Sequence, residues 1–277
     1  MADFRSFWHG EFSPYQTLAM KSFIDYGHSY ALYCYETLPV PAGVQLRDAN
    51  EIIPASRIFY YQTGSGRGSI SGFSNLFRYR LLHDHGGWWV DADVVCLTDQ
   101  VFEPEIFLGR EEAHAVGSAI LRFPPRHPFM RELYERSEAA GPNVSWGQTG
   151  PKLITRTLQA SGLEKHVIST ERSYPLSARD ALHLLIPSEA DRLRQVVRDA
   201  SFLHLWNEIF RRAVVLKWIA PPPASFLAEL FRRHQVPMSA EHVYKTEEVE
   251  RLNANFQAAL NWNAARYAAK AAFPLPV

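Results

Sequence analysis

The chain has 277 residues, 47% of them hydrophobic, with 29 basic and 29 acidic side chains and a formal net charge of zero. That length and apolar content suit one large domain or a domain with an appendage, and the charge balance supplies no global field for nucleic acid. Cys34 and Cys96 are the only two cysteines, they lie in apolar runs without zinc or disulfide spacing, and they suit a reducing compartment.

The opening run MADFRSFWHGEF lacks the apolar core of a signal peptide, and no stretch approaches the ~18 residues of a membrane span. The expectation is a soluble cytoplasmic protein with no nucleic-acid partner. Contact with a membrane through an apolar or aromatic surface stays open, and so does the oligomeric state. In chain order, FRSFWHG reads as a first strand. Ser13, Pro14 and Gln16 then form a capping box with proline at the first helical position, and the helix runs to Gly27. HSYALYCYE reads as a second strand, and VPAGVQLRDANEIIP as loop and short edge elements. The glycine-rich Tyr60–Gly72 segment fits neither phosphate-binding fingerprint; it reads as a mobile loop or as a lid over Gly64–Gly72.

FSNLFRYRLLHDH has a helical stripe of Phe73, Leu76, Phe77 and Leu81, closed by Gly86-Gly87. WWV is then a strand that delivers Asp91. AHAVGSAILRF reads as a strand, HPFMRELYERSEAA and TGPKLITRTLQASG as helices, and SFLHLW as a last strand. From Asn207 the chain reads as mostly helical, interrupted by Pro221-Pro222-Pro223. Alternating strands and helices predict an α/β fold with a mixed sheet.

Asp91 and Asp93 stand between two apolar runs. In an extended chain they point the same way, and burying both without partners is costly. Water, a cationic side chain or a metal ion would remedy that. At the C-terminal end of a strand they would sit at the ligand edge of an α/β sheet, where carboxylate oxygens suit Mn²⁺ or Mg²⁺. A bare Asp-x-Asp leaves a solvated strand end as an equal reading. His83 and His85, beside Asp84 at a helix end, read as structural.

Five blocks occur in order: SFWHG; SNLFRYRLLHDHGGWWVDADVVCL; HPF at His127–Phe129; WGQTGPKLITR at Trp146–Arg156; and FLHLWN at Phe202–Asn207. Together, from about Phe4 to Arg212, they resemble the glycosyltransferases that carry a DXD sugar-binding region. That family includes α1,4-galactosyl- and α1,4-N-acetylglucosaminyltransferases and bacterial enzymes of polysaccharide biosynthesis. The resemblance implies a GT-A, Rossmann-like nucleotide-sugar-binding domain over residues 1–212; the tail at 213–277 lies outside it and reads as a helical C-terminal extension packed on that domain. It implies a retaining hexosyl transfer from a nucleotide-sugar, a UDP-sugar, to a glycan or glycolipid acceptor, with Mn²⁺ or Mg²⁺ as cofactor.

By the same resemblance Asp93 is the direct metal ligand, and Asp91 shares the ion through water and touches the ribose. Arg78 matches a family arginine that holds donor hydroxyls. Asn75, three residues earlier on the same helix face, departs from the family's aspartate there and keeps only the hydrogen bonds of an amide. His204 reads equally as a metal ligand or as a satisfied core histidine. Trp206 and Asn207 would close over the diphosphate, Trp8 would stack on the nucleobase or fill a first-strand core, and Gln148 would reach the reacting face of the sugar. Two other readings are a catalytically silent nucleotide-sugar- or glycan-binding protein, favoured by Asn75, and a DxD phosphotransferase of haloacid-dehalogenase type. The second lacks the later acidic cluster of that class.

Overall fold

A computed structural model describes residues 1–62 and 66–272, with backbone alone for 240 and 263–272. The chain divides into two compact units, Met1–Leu176 with Val196–Leu205, and Ser177–Gln195 with Trp206–Val277.

The first unit is built on a seven-stranded mixed sheet. β1 (Asp3–Phe7) leads through α1 (Pro14–Asp25) to β2 (Ser29–Cys34), and β3 (Gln45–Asp48) forms the edge. α2 (Ser71–His85) leads to β4 (Gly87–Val90) on the other side of β1. These four strands are parallel, in the order β3-β2-β1-β4. β5 (Val94–Cys96) leaves this sheet, which continues with β6 (Phe107–Glu112) and β7 (Ala115–Phe123). β7 is antiparallel to both β4 and β6. α3 (Pro128–Ala140) and α4 (Pro151–Leu158) precede β8 (Val167–Ile168), the last strand of the sheet, and α5 (Thr170–Ser173). The outcome is the α/β class with a mixed central sheet that the sequence predicts. Because β1 sends one connection to β2 and receives β4 on its other flank, strand order reverses beside β1. The C-terminal ends of β1 and β4 therefore border the crevice where open α/β sheets bind ligands.

The sequence explains the local choices. Ser13 N–H donates to Gln16 Oε1 at 3.0 Å, and Pro14 occupies the first position of α1, as the capping box predicts. Phe73, Leu76, Phe77 and Leu81 of α2 are all buried. Gly86 and Gly87 both have left-handed backbone, φ +63° and +80°, and a Cβ on Gly86 would come within 2.5 Å of Pro125 N. Neighbouring Trp88 and Trp89 face opposite sides of the sheet, as strand alternation requires. Trp88 packs with Phe4, Phe107 and Phe202, and Trp89 with Phe77, which stacks on Phe7 at 4.5 Å.

In the second unit a 3₁₀ stretch at Ala178–Leu185 precedes α6 (Ala190–Val196). After β9 (Phe202–His204), which belongs to the first unit, come α7 (Asn207–Arg212), β10 (Ile219–Ala220), α8 (Phe226–Arg233), β11 (Ser239–Val243) and α9 (Thr246–Ala272). β10 and β11 form a short parallel pair that a mostly helical reading does not anticipate. Residues 273–277 lie outside the described part, as do Thr63, Gly64 and Ser65 of the glycine-rich segment that holds the predicted lid. The described remainder of that loop is tied to Tyr61: Gly68 N–H donates to Tyr61 O at 2.9 Å, and Tyr61 N–H to Ser69 O at 3.0 Å. No described helix is long and apolar enough to cross a membrane.

Candidate metal and donor site

Asp91 follows β4 directly, but the Asp91–Val94 segment is not extended. Val94 N–H donates to Asp91 O at 3.0 Å, closing a tight turn through which the chain leaves the main sheet. The expectation that strand alternation aligns the two carboxylates is corrected here, because a turn brings them together instead. β5 then pairs antiparallel with β9, with Val94 opposite His204 and Leu205 N–H donating to Asp93 O at 2.9 Å. That ribbon carries a histidine distant in sequence onto the turn. His204 Nε2 lies 3.3 Å from Asp93 Oδ1, and ligand atoms of Asp91, Asp93 and His204 all fall within 4.8 Å of one another.

Arg78 orients this cluster from α2. Its Nη2 donates to Asp91 Oδ1 at 2.8 Å, its Nη1 donates to Ser118 O at 2.7 Å, and its side chain is only 4% exposed. A surface salt bridge is therefore excluded. Trp89 Nε1 also donates to Asp91 Oδ1 at 2.8 Å, and the guanidinium lies 5.1 Å from the centroid of the Trp89 ring. Both bonds fall on Oδ1, which leaves Oδ2 outside this pair. Asn75 is buried beside Arg78, as helical spacing predicts, but its amide serves the start of α4: Nδ2 donates to Thr149 Oγ1 at 3.2 Å. A Cβ on Gly150 would lie 3.2 Å from Asn75 Nδ2 and 3.5 Å from Ser118 Oγ, so glycine keeps this corner open.

Burial raises the Asp91 carboxyl above its ordinary range, Arg78 opposes that shift, and Asp93 adds to it. Burial works against the charge of His204, yet Asp93, with Asp91 and Glu111 behind it, raises its pKa. Two close carboxylates beside an imidazole form an electron-rich donor set, and a divalent cation would relieve their mutual repulsion.

Two neighbours escape sequence reading. Tyr174 is buried, and its hydroxyl oxygen accepts from Ala119 N–H at 3.0 Å and Ile120 N–H at 3.1 Å. Ala119 O in turn accepts from Asp91 N–H at 2.8 Å, and the Tyr174 ring meets the His204 ring edge-on at 6.0 Å. Glu111 lies in β6 where the ladder with β7 slips out of register. A Cβ on Gly117 would come within 2.4 Å of the Tyr174 hydroxyl and 2.8 Å of Glu111 Oε2, so glycine makes room for both. Burial pushes the Glu111 carboxyl up to about 7; His204 opposes the shift, and Asp91 adds to it. The only mark in the sequence is the pair Glu111-Glu112, which carries no motif.

The remaining predicted residues are placed as follows. Trp8 stands just past β1, half-buried rather than in the core, with Nε1 donating to Gly10 O at 3.0 Å and Glu11 O at 3.2 Å. Gln148 is turned back locally, its Oε1 accepting from Ser145 N–H and Oγ at 3.1 Å each. Trp206 and Asn207 belong to the second unit. Trp206 has left-handed backbone at the start of α7, and Asn207 Oδ1 accepts from Lys217 Nζ at 3.2 Å. His83 Nδ1 pairs with Asp84 at 2.8 Å.

No family model matches the chain. Among curated proteins it is 28% identical to a human alpha-1,4-N-acetylglucosaminyltransferase over 157 residues, 51% of this chain and 45% of that protein. The matched region therefore spans about half the length of the relative. Among solved structures, the PaToxG glycosyltransferase overlaps 85% of each chain at 11% identity and a TM-score of 0.43. The apo glycosyltransferase GlyE of Streptococcus pneumoniae TIGR4 overlaps 86% of this chain and 64% of its own, at 11% identity and a TM-score of 0.41. Over half its length, then, this chain is similar in sequence to an alpha-1,4-N-acetylglucosaminyltransferase.

Proposed function

We propose that the chain is a metal-dependent retaining glycosyltransferase of GT-A architecture. It would move a hexose from a UDP-sugar to a glycan or glycoconjugate acceptor. The observation that carries this reading is the convergence of Asp91, Asp93 and His204 beside the C-terminal end of β4. Sequence similarity to a hexosaminyl-transferring enzyme supports the reaction class.

Asp91, Asp93 and His204 would hold the cation. Two carboxylates with one imidazole fit Mn²⁺ better than Mg²⁺, which prefers an all-oxygen shell. When bound, the ion supplies Lewis-acid stabilisation of the negative charge on the departing diphosphate. Arg78 and Trp89 fix the Asp91 carboxylate so that no reorganisation is needed as that charge develops. Trp8, just past the end of β1, would stack on a base entering the crevice. Arg78 acts on Asp91 rather than being free for sugar hydroxyls alone, and Asn75 shapes the corner beside Gly150. Donor identity is then set by that corner as well as by charge.

The test is a thermal-shift screen of nucleotide-sugars with and without Mn²⁺, followed by product analysis on glycan acceptors. A donor that stabilises only with Mn²⁺, and a product that retains the anomeric configuration, are the expected results. Metal-independent donor binding, or an inverted product, would overturn the reading.

A further inference from the structure

The segment after α7 presents an apolar face to solvent. Val214, Leu216 and Trp218 are 70%, 57% and 61% exposed, while Ala213 before them and Val215 among them are buried. Alternate residues thus plug the second unit while their neighbours project outward. The segment is held in this form. Val215 N–H donates to Phe210 O at 2.9 Å, Leu216 N–H donates to the buried Tyr244 hydroxyl at 2.8 Å, and Ile219 N–H donates to Leu216 O at 3.1 Å. Val214 also has left-handed backbone, φ +60°, which is an outlier for a β-branched residue. Such strain persists only where surrounding contacts enforce it.

Charge identifies what this face meets. Although the whole chain is neutral, residues 207–220 carry Arg211, Arg212 and Lys217 against one carboxylate, Glu208, a net charge of +2. Glu208 pairs with Arg211 at 2.7 Å and with Arg212 at 2.9 Å. A tryptophan and two aliphatic side chains flanked by basic residues are the composition of a surface that lies in a bilayer interface, with the indole at headgroup level. An acidic protein partner would not require three outward apolar side chains on so short a segment.

We infer that the Val214–Trp218 segment docks the protein onto an anionic lipid surface. Each apolar side chain enters the headgroup boundary, and Arg211, Arg212 and Lys217 contact lipid phosphates and carboxylates. The inference is independent of the glycosyltransferase reading, because its readout needs no donor or metal.

The experiment is flotation of the full chain with phosphatidylcholine vesicles, with and without about 30% phosphatidylserine, at about 0.1 M salt. The wild type should float with the anionic vesicles and be released by high salt. The Leu216→Glu/Trp218→Glu variant should partition about tenfold more weakly or less, with an unchanged circular dichroism spectrum. Trp218→Ser, a milder exchange, should fall between the two, which keeps the test valid if the double variant misfolds. Failure of the wild type to float would overturn the inference, as would equal flotation of all three folded proteins. A wild-type dimer that the double variant converts to monomer without any vesicle binding would overturn it too, assigning the face to a second copy.

Discussion

Replacing Glu111 by glutamine should stabilise the protein near pH 8 far more than near pH 5. In the folded chain burial moves this carboxyl from 4.5 up to about 7. The native state therefore keeps a proton that the unfolded chain has already lost, and wild-type stability falls as pH rises from about 5 to about 8. A displacement of about 2.5 units at 1.36 kcal/mol each makes ionised Glu111 cost about 3 kcal/mol above pH 7. Near pH 5, where the folded carboxyl is neutral, the same arithmetic leaves about 1 kcal/mol. The glutamine side chain preserves the shape beside Gly117 and Tyr174 without the charge. The assay is urea unfolding of both proteins at several pH values between 5 and 8 in chelator. The variant should gain about 2 kcal/mol on the wild type across that range. Repeating the series with Mn²⁺ should shrink the gap, because a cation at Asp91, Asp93 and His204 favours ionised Glu111. Parallel stability curves in chelator would refute the placement of Glu111 in a partly buried, electronegative pocket.

Asp93→Ala should abolish hexosyl transfer and the Mn²⁺-induced rise in melting temperature together, with the metal-free melting temperature nearly unchanged; transfer at the wild-type rate in chelator would sink the metal reading. Arg78→Met should destabilise the fold by about 3–5 kcal/mol, measured by urea unfolding, because it strips a buried guanidinium from Asp91 and Ser118 O. Mn²⁺ affinity measured by calorimetry should weaken as pH falls, since the pKa values of Asp91 and His204 are both raised and protons compete for the same atoms. Gly117→Ala should cost about 1–3 kcal/mol, read from the unfolding midpoint, because its methyl group collides with the Tyr174 hydroxyl.

The parts of the site legible in the sequence are those where a local rule suffices. Helical spacing puts Asn75 and Arg78 on one buried face, and glycine pairing ends α2 where β4 must start. The two aspartates stand out because charge interrupts an apolar run. The Arg78–Asp91 bond needs tertiary information, since nothing in the spacing says which carboxylate the guanidinium meets. His204 stays ambiguous in the sequence because β9 joins a separate two-stranded ribbon rather than the central sheet. β6 is missed because FLGREE is apolar only at its start, and Glu111 because a register slip, not alternation, turns it inward. Gln148 points the other way: a position near a helix start looks reactive, but the side chain closes its own turn on Ser145.

The first unit is not continuous in the chain. It ends at Leu176, gives up Ser177–Gln195 to the other unit, and resumes at Val196 to supply β9. The junction of His204 with Asp93 thus closes a loop of about 110 residues. During synthesis the central sheet can pair long before His204, the third member of the Asp91–Asp93–His204 cluster, has been translated. Until then the two aspartates face each other without the imidazole. On the proposed metal reading, competence to hold a cation is a late event in folding, dependent on the docking of a short ribbon rather than on completion of the main sheet. A cut in the Ser177–Gln195 excursion would leave the sheet covalently whole and detach His204 from the segment that bears Asp91 and Asp93.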